Sequence, residues 1–510
     1  SATYTGSELS ALVSGAGNGV SVVLAGDSMV HRCTGYFTPT SVTRSSNVAT
    51  VTLAGHGLGS GKIVDFNNAD DATFNVRGVA ITRTSSSTFT FPCSGPDGTA
   101  NAISGKALIF TLQEQINDDG FWLWLMKSTR FGPAFRMVKN AGVSSNTAAD
   151  LLARFATDVA AYSSDWIFLR LPVYNDVVNA SYTLAQITAS GTGYYPQILK
   201  LARATGRKVL LIGPPAFNTG NTTARHQVWL GAIKWMREQA RTLSGVYFAD
   251  VYAKQVNATA GTPGNAISGM LASDGIHESP RGADMAAQAI YEAIGTLIPK
   301  FNPFVSSSGD NYGADSSNTN ILDVGPWTAS GGTINAATGG GAASGTLGSG
   351  YQSDAVLTGG GTSVWSMPAR SDGIGYDAQC VLTPNAANDY SRLRLSANIA
   401  AARWSGSTKV RVAYEVSITN LSGSNVRSIN NPLNFQGGSN PTSVSAISGT
   451  ATAAASWPQS DFTLQFVSND ITIPTDAGLT GVDLQILFVA GAAGTAATCK
   501  VGRNSIEKIA

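Results

Sequence analysis

The chain has 510 residues, a formal net charge of +1 and only 13% charged residues. That length exceeds one ordinary core and asks for roughly two to four domains. The near-zero charge supplies no basic field for nucleic acid or anionic lipid, and no stretch has the length and apolarity of a membrane span, the run 486–497 being short and broken by glycine.

The opening SATYTGSELS has neither the basic start nor the apolar core of a secretory leader. Either a leader has been trimmed or the protein leaves its cell by lysis. Residues 19–25 predict a short buried strand, which stops at Gly26-Asp27-Ser28. Residues 38–104 are dense in Thr, Ser, Val, Gly and Asn, with period-two runs such as NVATVTLAGHGL, KIVDFNNA and TFTFP. They predict a small β module inserted into the first β-to-α connection.

After about residue 108 strands and helices alternate. Strands are expected at 134–142, 165–172, 208–215 and 245–251, and helices at 146–162, 194–206, 222–243 and 279–298. The last helix opens on Ser279 as N-cap and Pro280 in its first turn. Such alternation predicts a doubly wound parallel sheet with helices on both faces, a three-layer α/β domain over residues 1–37 and 105–302. Ligands of such sheets bind beyond the carboxyl ends of the strands. From about residue 303 a linker-like stretch leads into β-prone, turn-rich sequence, expected to form a β-sandwich or jelly-roll domain over 303–510. That last part contains no histidine. Of the cysteines, Cys33 with Cys93 and Cys380 with Cys499 would each fall within one unit, as disulfides or as buried thiols.

A serine hydroxyl needs a base to become a nucleophile, and usually an acid to orient that base. The chain has four histidines. His56 lies in the inserted module, His226 early in a long helix, and His31 just past Ser28. His277 remains, in LASDGIHESPRG, with Asp274 three residues before it. That spacing lets the carboxylate take one ring nitrogen and leaves the other facing outward. The bland readings are Ser28 as a helix cap and His277 as a satisfied loop histidine. Arg170 in FLRLP reads as a strand-edge charge. Trp122, Trp124, Trp365 and Trp404 read as packing residues more readily than as sugar platforms.

At these residues the chain resembles the SGNH hydrolases, also called the GDSL esterases, over residues 19–32 and roughly 108–298. The resemblance implies that Ser28 attacks, His277 is the general base and Asp274 orients it, with Asp27 structural. It also implies an oxyanion hole. The family block N-x-G-x-x-G-x-T is matched by Asn140-Ala141-Gly142-Val143-Ser144-Ser145-Asn146-Thr147, and G-x-N-D by Val173-Tyr174-Asn175-Asp176. The donors would be the Ser28 N–H, the Ser145 N–H and the Asn175 side chain. Ser145 stands where the family has glycine, which leaves the N–H but strains the backbone. The alternatives are an N-cap role for Ser145 and an ordinary turn role for Asn175. His31 and Tyr174 flank the motifs and would shape the substrate pocket. No metal or cofactor is required.

The insert resembles a β module frequent in bacteriophage structural proteins. With the histidine-free last domain, it makes the chain look like a phage tail spike carrying an esterase. That resemblance implies a homotrimer, at a virion tail or extracellular, which removes O-acetyl groups from a bacterial surface polysaccharide without nucleic acid or membrane insertion. A secreted cellular esterase or lipase with carbohydrate-binding domains, and an inert polysaccharide-binding adhesin, are the other readings.

Overall fold

The computed structural model describes residues 19–300, 322, 327–395, 409–421, 425–437, 442–449, 453–475 and 479–509; the SATYTGSELS opening, the linker-like stretch and Trp404 lie outside them. Five parallel strands form the α/β unit: β1 (Val20–Gly26), β2 (Phe135–Gly142), β3 (Trp166–Leu169), β4 (Lys208–Ile212) and β5 (Val246–Ala249). Their order is β2-β1-β3-β4-β5. Val22, Val23, Leu24 and Ala25 of β1 are all fully buried, as expected of a strand covered on both faces. Val23 and Ala25 pack with Leu151, Ile198 and Trp229 on one side. Val22 and Leu24 pack with Phe121, Ala286 and Ile290 on the other. The chain leaves β1 to one side for β2 and returns past it to β3, so the carboxyl ends of β1 and β3 border the topological switch point.

The helices that matter are α1 (Ser28–His31), α2 (Phe121–Leu125), α3 (Ala148–Phe155), α4 (Tyr194–Ala204), α5 (Thr223–Thr242) and α6 (Pro280–Ile294). Asp27, not Ser28, caps α1, through Met29 N at 3.0 Å. Thr147, not Ser145, caps α3 in a capping box with Asp150. The single helix expected over 146–162 runs as α3 followed by a π-type turn at Ala156–Ala160. Trp122 and Trp124, on α2, are buried, as is Trp365. Among the described residues no helix is long and apolar enough to cross a membrane.

The β-rich remainder is more tightly joined to this unit than sequence alone suggests. Strand Ile109–Asn117 falls in the expected α/β segment, yet it belongs to a ten-stranded β-sheet. It pairs with Thr34–Phe37 and with Ile63–Asn67 of the insert, and its end pairs with Thr442–Ser448. The insert is therefore divided. Thr43 and Val51 lie in a separate five-stranded sheet, whereas Ile63–Asn67 extends the large one. An alternating strand with open edges needs neighbours, and here a segment more than three hundred residues away supplies one. A seven-stranded sheet lies against the ten-stranded one, with Ser363 Oγ 2.6 Å from Ser391 Oγ across them. Trp124 packs edge-on against Trp457 and Phe462, so the two parts share a core.

All four cysteines are free, buried thiols. Cys380 and Cys499 lie directly opposite on neighbouring strands. Cys93 instead contacts Arg44 and Thr73.

Candidate active site

Ser28 opens α1 at the carboxyl end of β1. Gly26 makes that turn feasible, because a Cβ there would lie 2.5 Å from the Arg170 carbonyl. At the end of β2 a Cβ on Gly142 would lie 2.3 Å from His31 N. Glycine at these two positions lets both strand ends close on α1. Asn140 locks the contact: its Nδ2 donates to Val30 O at 2.9 Å and to Thr34 Oγ1 at 2.9 Å, and its Oδ1 accepts from Gly142 N at 2.9 Å.

His277 lies in a loop that is fastened at both ends. Before it, Gly275 turns with φ +69°. Asp274 Oδ1 accepts the amides of Ile276 at 2.8 Å and His277 at 3.0 Å, and Thr219 Oγ1 donates to the Asp274 carbonyl at 2.6 Å. After it, Glu278 is buried in a two-pronged pair with Arg170, at 2.7 and 2.8 Å, and accepts Gln255 Nε2 at 2.8 Å. The structure thereby brings three side chains into one hydrogen-bonded chain. His277 Nδ1 is 2.6 Å from Asp274 Oδ2, and His277 Nε2 is 2.9 Å from Ser28 Oγ. Burial would raise the Asp274 carboxyl, but hydrogen bonds from the His277 ring and the His277 and Ile276 amides outweigh it and hold it below the usual carboxylate range. An ionised Asp274 fixes the proton on Nδ1, so Nε2 accepts the Ser28 hydroxyl proton. This is an arrangement able to generate a serine nucleophile.

The oxyanion side differs in part from what the sequence motifs suggest. Ser145 adopts φ +62°, the left-handed conformation that favours glycine. The Ser28 and Ser145 amides have no hydrogen-bond partner among the described residues. Asn175 does not offer a free donor here. Its Nδ2 donates to Asp27 Oδ2 at 3.1 Å and to Asn146 O at 3.0 Å, so it ties the loop after β2 to the Gly26-Asp27-Ser28 turn. Burial pushes Asp27 up to about 6, against the Met29 amide and the charges of Arg170 and His277.

The two residues expected to shape the substrate pocket do something else. His31 is 1% exposed, with Nδ1 2.9 Å from Ser144 Oγ and Nε2 2.7 Å from Thr111 Oγ1. Burial, reinforced by the charges of Arg32 and Arg154, brings it down to about 3, so it stays neutral. It braces the Ser145 loop from behind. Tyr174 packs edge-on to Phe217 and Trp229, and its hydroxyl donates to the Thr219 carbonyl at 3.3 Å, beneath Asp274. His226 meets Tyr252 and His56 meets the Ser85 carbonyl, both away from Ser28.

Arg170 is the residue whose role the sequence analysis missed. It is not a strand-edge charge: it is 1% exposed and holds the residue next to His277. The available signal was a guanidinium directly after the apolar run Trp166–Leu169, because a buried charge needs a partner.

No protein-family model matches the chain, and no curated protein matches it. Solved structures to which it is similar include a protein described as lipolytic, of the G-D-S-L family, from Desulfitobacterium hafniense DCB-2. The identity is 13%, covering 54% of this chain and 98% of that one, with a TM-score of 0.30. A catalytic mutant of Axe2, an acetylxylan esterase from Geobacillus stearothermophilus, is 15% identical over 55% of this chain and 95% of that one, with a TM-score of 0.30. A lipase/acylhydrolase from Enterococcus faecalis is 21% identical over 33% and 80%, with a TM-score of 0.27.

Proposed function

We propose that this chain is a serine esterase of the SGNH type that removes O-acetyl groups from a bacterial surface polysaccharide, as part of a phage tail spike. The observation that carries the esterase reading is the Ser28–His277–Asp274 chain, at 2.9 and 2.6 Å. Ser28 Oγ attacks the ester carbonyl while its proton passes to His277 Nε2. The oxyanion is received by the free amides of Ser28 and Ser145, with Asn175 bracing the loop that presents the second. His277 then gives the proton to the departing sugar oxygen, and water repeats the cycle on the acyl-enzyme. What supports the tail-spike setting is the phage-like insert and the β-rich remainder built onto the α/β unit. The assembly proposed with it is a homotrimer, at a virion tail or extracellular.

The test is acetate release from O-acetylated bacterial polysaccharides, followed by NMR. Ser28→Ala is expected to lower the rate on the order of 10⁴-fold or more with the fold retained. Equal release by both proteins would remove Ser28 as nucleophile. A series of nitrophenyl esters of rising acyl length distinguishes an acetyl esterase from a lipase, which would favour the long chains.

A further inference from the structure

A cavity of about 590 Å³ opens beside the His277 loop, where the α/β unit meets the C-terminal β region. Its volume lies within the roughly 300–1,000 Å³ of small-molecule sites. One wall is the loop itself, through Ser273 on one flank of His277 and Ser279 on the other. The facing walls are Arg32 and Tyr36 after α1, Asp118 and Asp119 after strand Ile109–Asn117, and Ser448 and Ser456 from the C-terminal part.

Three observations define what this cavity can hold. First, two acidic residues of its wall each carry a buried carboxylate oxygen that the protein leaves without a partner. Asp118 is 5% exposed and its Oδ2 has no hydrogen-bond partner among the described residues; Asp119 Oδ1 has none either. Buried polar oxygens without partners are costly unless a ligand or water satisfies them. Second, its charges are balanced. Arg32 is paired with Asp119 at 2.5 Å, and Glu278 with Arg170. Burial, together with the charge of Asp119, holds the Asp118 carboxyl well above its ordinary range. An anionic ligand finds no unpaired cation at these walls, and an alkyl chain would strand the carboxyl and hydroxyl groups. Third, it adjoins the loop that carries His277: Ser273 and Glu278 both line it. The departing oxygen must be next to His277 Nε2, which gives it its proton, and a group attached to that oxygen can extend from there along the loop toward the cavity. The oxyanion amides, Ser28 at the start of α1 and Ser145 in the loop after β2, do not line it. The Arg32 guanidinium lies 5.9 Å above the Tyr36 ring, so a flat aromatic and a planar ion pair stand side by side.

We propose that this cavity receives the alcohol part of the ester, an uncharged polyhydroxylated group such as a sugar ring, with the Asp118 and Asp119 carboxyls binding its hydroxyls. The proposal rests on the esterase reading and adds a subsite to which the C-terminal β region contributes.

It is tested with three acetates of different alcohols: methyl 6-O-acetyl-glucoside, hexyl acetate and nitrophenyl acetate. The wild type is expected to favour the glucoside over hexyl acetate in kcat/KM by at least tenfold. Ser448→Trp, which fills the cavity from the C-terminal side, and Asp119→Asn, which keeps its shape but breaks the ion pair, should each reduce kcat/KM for the glucoside at least tenfold more than for nitrophenyl acetate. Thermal unfolding of each variant checks that it folds. A preference for hexyl acetate, or equal losses on all three acetates in both folded variants, would overturn the subsite. Preference for nitrophenyl octanoate over the acetate, abolished by Ser448→Trp, would assign the cavity to an acyl chain instead. Failure of the esterase reading looks different: no acetate is cleaved faster by wild type than by Ser28→Ala.

Discussion

Ser145 departs from the glycine of the motif it resembles, yet takes up a glycine-like backbone conformation. In the proposed mechanism its amide receives the oxyanion, and the residue adopts φ +62°. An L-residue in the left-handed region costs about 1–2 kcal/mol, and glycine would relieve most of this at the expense of a more flexible unfolded chain. Ser145→Gly is therefore expected to stabilise the protein by about 0.5–1 kcal/mol, read as a rise in denaturant midpoint. Ser145→Pro removes the amide proton and cannot reach positive φ; it should lower kcat roughly a hundred- to a thousandfold. A Ser145→Pro variant that folds with undiminished kcat would remove the amide from the mechanism. The serine itself is held by its neighbours: Ser144 Oγ meets His31, and Asn146 is gripped by Arg154 Nε at 2.7 Å. None of these contacts has a signature in the sequence, because each joins residues from different segments.

At the scale of elements, the parallel strands were legible for a simple reason. Each is a short apolar run buried on both faces, so composition alone marks it. The helix starts at Thr147 and Ser279 were legible or nearly so through side chains that accept the third amide of the helix. The turn after β3 was not. Asn175–Asn179 forms a π-type turn, and its Asp176 is spent on structure: Oδ1 accepts Ala148 N at the start of α3 at 2.8 Å, and Oδ2 accepts the Tyr195 hydroxyl at 2.9 Å. Burial pushes Asp176 up to about 7, in spite of both hydrogen bonds. The folded pKa lies above the unfolded value of 3.8. The stabilising protonated form is thus fully present below about pH 4 and is lost as pH rises through about 7, weakening the fold by up to about 4 kcal/mol at alkaline pH. Asp176→Asn keeps an acceptor for Ala148 and cannot ionise. Urea midpoints at pH 4.5, 6 and 8 should show the variant gaining on the wild type as pH rises. A stability difference that stays constant over that range would show that Asp176 does not titrate there.

The whole molecule was the least legible level. Alternation in Ile109–Asn117 tells which side chains face inward, but not that the strand's end pairs with Thr442–Ser448. Non-local pairing leaves no local mark, so the sequence divides into parts that the fold fuses. Several contacts across that division are costly to expose. Lys62 and Glu114 form a buried ion pair at 3.0 Å, and Glu114 Oε2 accepts Thr472 N at 2.7 Å. Met126 O accepts Gln465 N at 2.8 Å, Ser128 N donates to Thr463 O at 2.9 Å, and Asn469 Nδ2 donates to Gln113 O at 2.7 Å. Removing residues 303–510 would uncover Trp124, unpair one edge of Ile109–Asn117 and open the wall of the cavity beside His277. A fragment ending at residue 302 is accordingly expected to aggregate or to lack near-ultraviolet circular dichroism, although it contains Ser28, Asp274 and His277. In the full chain, tryptophan fluorescence and ester hydrolysis should be lost over one denaturant range, because the two parts share a core and so unfold together. A soluble, natively packed fragment that hydrolyses nitrophenyl acetate at the full-length rate would show instead that the α/β unit is self-sufficient and that its junction with the β region is a docking of independent domains.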